Sequence, residues 1–180
     1  MRLLFELDLK NYDETGRRFI RPSVRGIIIR HDKVAMIHSF KYHYYKFPGG
    51  GIETGEDMVQ ALTREVREEA GLIVVPESIV EFGRVRRVER EENNDIFEQD
   101  NFYFFCSTEP EPVCQQLDDY EAEEGFALEY VAPEYAVKIN RTFHHGPKSL
   151  AMLERESRVL EICMAEHRFE KTHRSARRQP

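Results

Sequence analysis

No stretch of this 180-residue chain is apolar for long enough to cross a membrane, which takes about 18 residues. There is also no CxxC pair and no Cys/His finger spacing. The three cysteines, Cys106, Cys114 and Cys163, are odd in number. That pattern excludes a disulfide framework and a zinc finger, and it predicts free thiols in a reducing compartment. Internal repeats, low-complexity blocks and Gly/Ser linkers are absent as well. Positive charge is in deficit, with 26 Lys and Arg against 33 Asp and Glu and a formal net charge of −7. A broad electrostatic grip on polymeric DNA or RNA is therefore not expected. A small anionic substrate stays open, because a bound cation inverts the local field. The opening MRLLFELDLK carries Glu6 and Asp8 inside its apolar stretch, unlike a signal peptide. The sequence predicts a soluble cytoplasmic protein without membrane partners.

What is present suits one globular domain with a real core, at 41% hydrophobic and 33% charged residues. The reading is a single domain over 1–172, with an N-terminal strand region 1–20, a core 20–140 and a long C-terminal helix at about 147–171. Residues 173–180 form a basic, flexible tail. Leu3, Phe5, Leu7 and Leu9 alternate as an initial strand, and NYDETG is a turn. VRGIIIR and VAMIHSF read as a hairpin, LIVV as a short strand ended by Pro76, and IVEFGRVRRV with NFYFFCS as paired strands. FALEYV is a further strand, followed by a short helix from Pro133 and the last helix from Pro147, with Leu150, Leu153, Leu160 and Met164 on one side. The fold class is α/β, a mostly antiparallel mixed sheet sandwiched between helices.

The segment with most to explain is TREVREEAGL, residues 63–72. As a helix it sets Glu65, Glu68 and Glu69 three and four positions apart, where like charges cost roughly 0.2–0.5 kcal/mol per pair. Thr54 with Asp57 predicts the capping box and Gly71 the left-handed stop, with Val59, Leu62, Val66 and Ala70 as the apolar stripe. A solvated acidic face is the plain reading of three glutamates alone. Carboxylates meeting on one side next to a glycine-rich loop are also an oxygen donor set for Mg²⁺ or Mn²⁺.

From Gly50 the spacing runs five residues to Glu56, seven more to Arg64-Glu65, then Val66, Arg67, Glu68, Glu69, Ala70, Gly71 and Leu72. Position by position this resembles the box of the Nudix hydrolases, G-x5-E-x7-R-E-U-x-E-E-x-G-U with U apolar. The resemblance implies the Nudix fold and a hydrolase of nucleoside diphosphates linked to another group, dependent on Mg²⁺ or Mn²⁺. It implies that Glu65, Glu68 and Glu69 ligate metal together with the Gly49 carbonyl, and that Glu65 also activates water. Arg64 would orient a box glutamate, and Glu56 would stabilise the junction of loop and helix. Some members use a further glutamate from a later loop. Here DDYEAEEG offers Glu121, Glu123 and Glu124, with Glu124 or Glu123 favoured.

Outside the box, Tyr45 and Phe47 share a strand face before the loop and could wall a nucleobase pocket, although core packing suits Phe47 better. Arg25 and Arg84 could meet phosphates, against the plainer readings of an edge charge and a solvated strand. His144-His145 is not read as a metal pair, since sequence neighbours seldom face the same way. Family branches carry further marks. The proline expected about 15 residues after the box of ADP-ribose enzymes is missing, as is the tyrosine of the diadenosine-polyphosphate branch. The coenzyme A and NADH patterns are missing too. Elimination leaves a MutT-like nucleoside triphosphate pyrophosphohydrolase, with a nucleotide-sugar or dinucleotide pyrophosphatase next and a non-catalytic nucleotide sensor as the rival of another class. A homodimer through the first strand or last helix is left open.

Overall fold

The computed structural model describes residues 1–91 and 95–169. The expected tail at 173–180 lies outside the described residues. Strands β7 (Val80–Arg90) and β8 (Ile96–Phe105) form the long antiparallel hairpin expected, and they are the centre of a first sheet. Strand β1 (Leu3–Asp8) lies parallel on the free edge of β7. Strands β2 (Arg18–Ile20) and β3 (Ser23–Ile27) lie end to end along the other edge of β8, both parallel to it. Three pairings in this sheet are parallel, because the N-terminal segments flank a hairpin contributed later in the chain, while the other four pairings of the molecule are antiparallel, in keeping with the mixed, mostly antiparallel arrangement expected.

VRGIIIR is not one strand. After β3 the chain passes at Ile28 into a second, antiparallel sheet as β4 (Ile29–Arg30), which turns into β5 (Lys33–Ser39). His31 and Asp32 both adopt positive φ, 49° and 62°, as a two-residue hairpin turn requires. Strand β6 (Tyr44–Lys46) continues along the β4 side of β5, and β9 (Phe126–Val131) covers its other side. LIVV supplies no strand, only an isolated bridge between Val74 and Thr108, because Pro76 removes a donor and opens a 3-10 turn, Pro76–Ser78.

Helix α1 (Met58–Ala70) begins later than Thr54 suggested. Gly55, at φ 90°, still belongs to the loop, and Asp57 is the N-cap. Its Oδ1 accepts from the N–H groups of Val59 and Gln60, both at 2.8 Å, and Gln60 Oε1 accepts from Asp57 N–H at 2.9 Å. Gly71 ends the helix at φ 64°, as expected. Ala61, Leu62, Val66 and Ala70 are its buried side, whereas Val59 is exposed. The helix packs closely on β3, since a Cβ at Gly26 would lie 3.0 Å from Val66. DDYEAEEG is not a loop but helix α2 (Asp119–Glu124), capped reciprocally by Asp118 and Glu121 and stopped by Gly125 at φ 65°.

Helices α3 (Pro133–Thr142) and α4 (Leu150–Ala165) cover the face opposite α1. The apolar side of α4 is core, through Leu153, Val159, Leu160 and Cys163. The helix starts three residues past Pro147, with Ser149 as N-cap, and Leu150 is exposed instead of joining the stripe. Cys106 is a buried thiol, as expected. Among the described residues no helix is long and apolar enough to cross a membrane.

One polar layer crosses the core. Arg155 of α4 donates to Gln99 Oε1 at 3.0 Å, to Asn101 Oδ1 at 2.6 Å and to its neighbour Glu156, whose other oxygen accepts from Phe47 N–H at 3.0 Å. Both residues are buried, at 1% and 0% exposure. Removing one member of such a pair leaves an uncompensated charge, which costs about 3–5 kcal/mol. Glu156→Ala is therefore expected to lower the urea unfolding free energy by about 3 kcal/mol or more. Glu154→Ala, which breaks an exposed pair with Arg141, should change it by less than about 1 kcal/mol.

Candidate active site

The site is built where the glycine loop between β6 and α1 crosses β3. Gly26 N–H donates to Pro48 O at 2.9 Å and Val24 N–H to Gly50 O at 3.0 Å, which lays the loop against β3. That approach excludes a side chain at residue 49. A Cβ there would lie 2.1 Å from the Val24 carbonyl, and φ is 137°. Gly50 leaves room for the Glu65 carboxylate, which a Cβ would meet at 2.3 Å.

Arg64 organises the acidic face. Its Nε and Nη2 hold both oxygens of Glu56 at 2.7 and 2.8 Å, and Nη2 also donates to Gly51 O at 3.0 Å. Nη1 donates to Glu65 Oε1 at 2.8 Å and Glu68 Oε2 at 3.1 Å. All five guanidinium N–H bonds are thereby used. The hydrogen bonds from Arg64 hold the Glu56 carboxyl down at about 2, with help from Glu53 N–H. Burial pushes the Glu65 carboxyl above the usual carboxylate range, against the pull of Arg64. Glu69 is buried, with one oxygen on Lys46 Nζ and the other accepting from Gly49 N–H at 2.9 Å. Across from it, burial and the neighbouring Glu69 raise the Glu121 carboxyl. Glu121 accepts from Tyr120 OH at 2.8 Å and Asp118 N–H at 3.0 Å.

These groups line one pocket of about 430 Å³, walled by Glu65, Glu68, Glu69 and Glu121 with Arg21 and Tyr120 at its rim. Of the three α2 candidates, the structure turns Glu121 into it. The preference for Glu124 or Glu123 is corrected on geometry. Glu124 is buried elsewhere, accepting from Tyr44 OH at 2.8 Å and Ser39 Oγ at 3.2 Å and pairing with Lys148, while exposed Glu123 pairs with Lys41.

The remaining candidates lie apart from the pocket. Phe47 packs in the core against Tyr103, with ring centroids 5.6 Å apart. Tyr45 stacks on His38 and donates to Glu129 at 2.8 Å. Arg84 pairs with Asp100 at 2.7 Å on the sheet surface. Arg25 is buried on the α4 face of β3, and its Nε and Nη1 have no hydrogen-bond partner among the described residues. His145 is buried against the carbonyls of Tyr42 and Asn140. Sequence reasoning missed Lys46, Tyr120, Asp118, Gln116 and Arg21. Of these, Lys46 stands directly before FPGG, and Asp118 and Tyr120 lie within DDYEAEEG.

Among the described residues no three His, Cys, Asp or Glu side chains converge as a ready metal cage, since Arg64 and Lys46 hold the carboxylates. The donor set nonetheless fits a hard divalent cation. It is oxygen-only, and the pocket carries more carboxylates than cations, two of them with raised proton affinity.

The fold and this acid-lined pocket define an α/β sandwich carrying its site on one helix and the preceding loop. A family model described as the NUDIX domain matches residues 20–150, and the chain belongs to that family. An ADP-ribose pyrophosphatase from Methanocaldococcus jannaschii is 32% identical over 84 residues, 44% of this chain and 47% of that relative. The match thus spans about half the length of that curated protein. Among solved structures, a MutT protein from Bacillus halodurans shares 23% identity at a TM-score of 0.56, covering 78% of this chain and 82% of that one. A NUDIX hydrolase from Nitrosomonas europaea shares 18% at 0.57, covering 85% and 91%. At these identities the two structures bear on the fold alone.

The raised Glu65 carboxyl has a consequence for stability. Between its ordinary and its raised pKa the native state holds more protons than the unfolded chain, so stability falls as pH rises through that window. Glu65→Gln is expected to raise the Tm at pH 7 in chelator. The gain should vanish below the ordinary glutamate pKa, as a pH series of thermal melts would reveal.

Proposed function

We propose that this chain is a divalent-metal-dependent hydrolase that cleaves the pyrophosphate bond of a nucleoside diphosphate linked to another group. The observation that carries the reading is the convergence of Glu65, Glu68, Glu69 and Glu121 on one pocket beside the Gly49–Gly51 loop. Glu65, Glu68 and Glu69, with the Gly49 carbonyl, are the residues that would hold Mg²⁺ or Mn²⁺. The ion, when bound, supplies neutralisation of diphosphate oxygens and an acidified water. The chain's own residues do the rest. Glu65, whose burial favours its protonated form, is suited to receive the proton of the attacking water. Arg64 fixes Glu65 and Glu68 in place through one nitrogen, and Glu56 fixes Arg64. Lys46 and Gly49 N–H orient Glu69. Glu121, packed against Glu69, is a second group able to hold a proton or an ion.

Two substrates lead within this chemistry. A nucleoside triphosphate, ordinary or oxidised, giving NMP and pyrophosphate, rests on the missing marks of other branches. ADP-ribose, a nucleotide-sugar type of substrate, rests on the printed name of the relative from M. jannaschii. The proposed partner is a small nucleotide, and the proposed setting is a cytoplasmic single-domain protein.

Phosphate release should be measured on nucleoside triphosphates, ADP-ribose and other nucleotide sugars, and dinucleotides, with Mg²⁺, Mn²⁺ or chelator. Turnover is expected only with metal, falling by about 10²-fold or more in Glu69→Gln. Mg²⁺ or Mn²⁺ should also raise the Tm of wild type, an effect reduced in Glu65→Gln. Tight nucleotide binding without turnover of anything in the panel would replace the hydrolase by the sensor reading.

A further inference from the structure

The pocket is rich in carboxylates, yet its substrate would be an anion, so the state of each cation near it matters. Lys46 is committed to Glu69, and Arg64 spends all five donors on Glu56, Glu65, Glu68 and Gly51 O. Arg64 has no donor left, and Lys46, held on Glu69, does not itself line the pocket. Arg21 is the exception. It lines the same pocket from the short connection between β2 and β3, and among the described residues its guanidinium makes no hydrogen bond and no ion pair.

The position of Arg21 is set by its backbone, not by a carboxylate partner. Its N–H donates to Glu98 O at 3.0 Å, and the next residue's carbonyl accepts from Ile52 N–H at 3.1 Å. The side chain then lies over Gly51. A Cβ at residue 51 would sit 2.9 Å from Arg21 Nε and 3.2 Å from Nη2, so a side chain there would displace the guanidinium from this position. An unpaired fork of five donors beside a carboxylate cluster would ordinarily fold onto one of the carboxylates. Here Glu56 and Glu65 are already held by Arg64, and among the described residues no ion pair joins Arg21 to the other acids of the pocket, Glu53 and Asp118 included.

We propose that Arg21 is the substrate's phosphate grip, its fork taking two oxygens of one phosphoryl group of the diphosphate. The assignment rests on the reading of the pocket as a diphosphate site. It divides the work: the α1 carboxylates serve the cation side of the substrate, and Arg21 serves oxygens that the cation leaves uncovered. A grip of this kind acts on ground state and transition state alike, so it is felt in KM more than in kcat.

The test is calorimetric binding of inorganic pyrophosphate in Mg²⁺ to wild type, Arg21→Ala, Arg21→Lys and Arg18→Ala. Arg18 pairs with Glu98 on the neighbouring strand and controls for loss of one surface charge. Arg21→Ala is expected to weaken binding by about 10- to 100-fold. Arg21→Lys should fall between, since an ammonium keeps charge without the fork, and Arg18→Ala should stay within about twofold. On whichever nucleotide wild type hydrolyses, KM should rise in parallel in Arg21→Ala while kcat holds within a few-fold. Equal affinities for Arg21→Ala and Arg18→Ala, or no pyrophosphate binding by wild type, overturn the assignment. A wild type that binds pyrophosphate through Arg21 but hydrolyses nothing would instead remove the hydrolase reading and leave the grip standing.

Discussion

The main-chain N–H groups of Tyr45, Phe47 and Gly49 lie along one edge of a single extended segment, and each ends on a side chain from a different helix. Asn140 of α3 takes the first at 2.8 Å, Glu156 of α4 the second at 3.0 Å, and Glu69 of α1 the third at 2.9 Å. No further strand covers that edge among the described residues, so without these acceptors three buried donors would be unsatisfied, at roughly 1–3 kcal/mol each. The edge thus fastens all three helices to the strand that leads into the glycine loop. It also fixes what the loop does next. With Gly49 held by Glu69 on one side and pressed on the Val24 carbonyl on the other, the chain has one path into α1. The arrangement gives Glu69 two duties, as a structural acceptor and as a wall of the pocket. Glu65 and Glu68, whose carboxylates accept hydrogen bonds within the described residues from Arg64 alone, are the freer ligand candidates.

Repulsion within the acidic face is handled by the same economy. Arg64 lies between Glu65 and Glu68 through one nitrogen, and its other side is held by Glu56. One guanidinium so offsets carboxylates on both the loop and the helix. It does not neutralise the pocket, because Glu121 and Glu69 meet across it without a cation between them other than Lys46, which lies on the Glu69 side. The excess charge is what a divalent ion would answer.

The box was legible in the sequence because its geometry is local. Glycine spacing, a capped helix and carboxylates at i, i+3 and i+4 need no tertiary knowledge, and the long β7–β8 hairpin declared itself through alternation. What stayed hidden is long-range. The acceptors for Tyr45 and Phe47 come from 95 and 109 residues away, and nothing around Asn140 or Glu156 marks them. Tyr45 and Phe47 were plausible as pocket walls because aromatics before a site suit either role; only the α3 and α4 packing decides for the core. Among Glu121, Glu123 and Glu124 the sequence reading favoured Glu124 or Glu123, and it missed Glu121 because the choice is made by Tyr44, Ser39 and Lys148, which capture Glu124 from outside α2. The break of VRGIIIR between two sheets is equally invisible, as Ile27, Ile28 and Ile29 run across it as one apolar stretch.

The two faces of the first sheet divide stability from chemistry. On the α4 face, Arg155 and Glu156 are fully enclosed and satisfied by Gln99, Asn101 and Phe47 N–H, an arrangement that rewards rigidity and specifies one docking of the helix. On the α1 face, the loop is stripped to glycines and the carboxylates are crowded, which an apo protein tolerates only if something else holds the frame. Glu156 is the point of contact between the two, since its acceptor fixes Phe47 two residues before Gly49. The α4 layer therefore acts on the pocket without touching it. Loosening that layer would release the strand edge first and the glycine loop with it, so a substitution deep in α4 should register at the carboxylates as displaced geometry before it registers as unfolding.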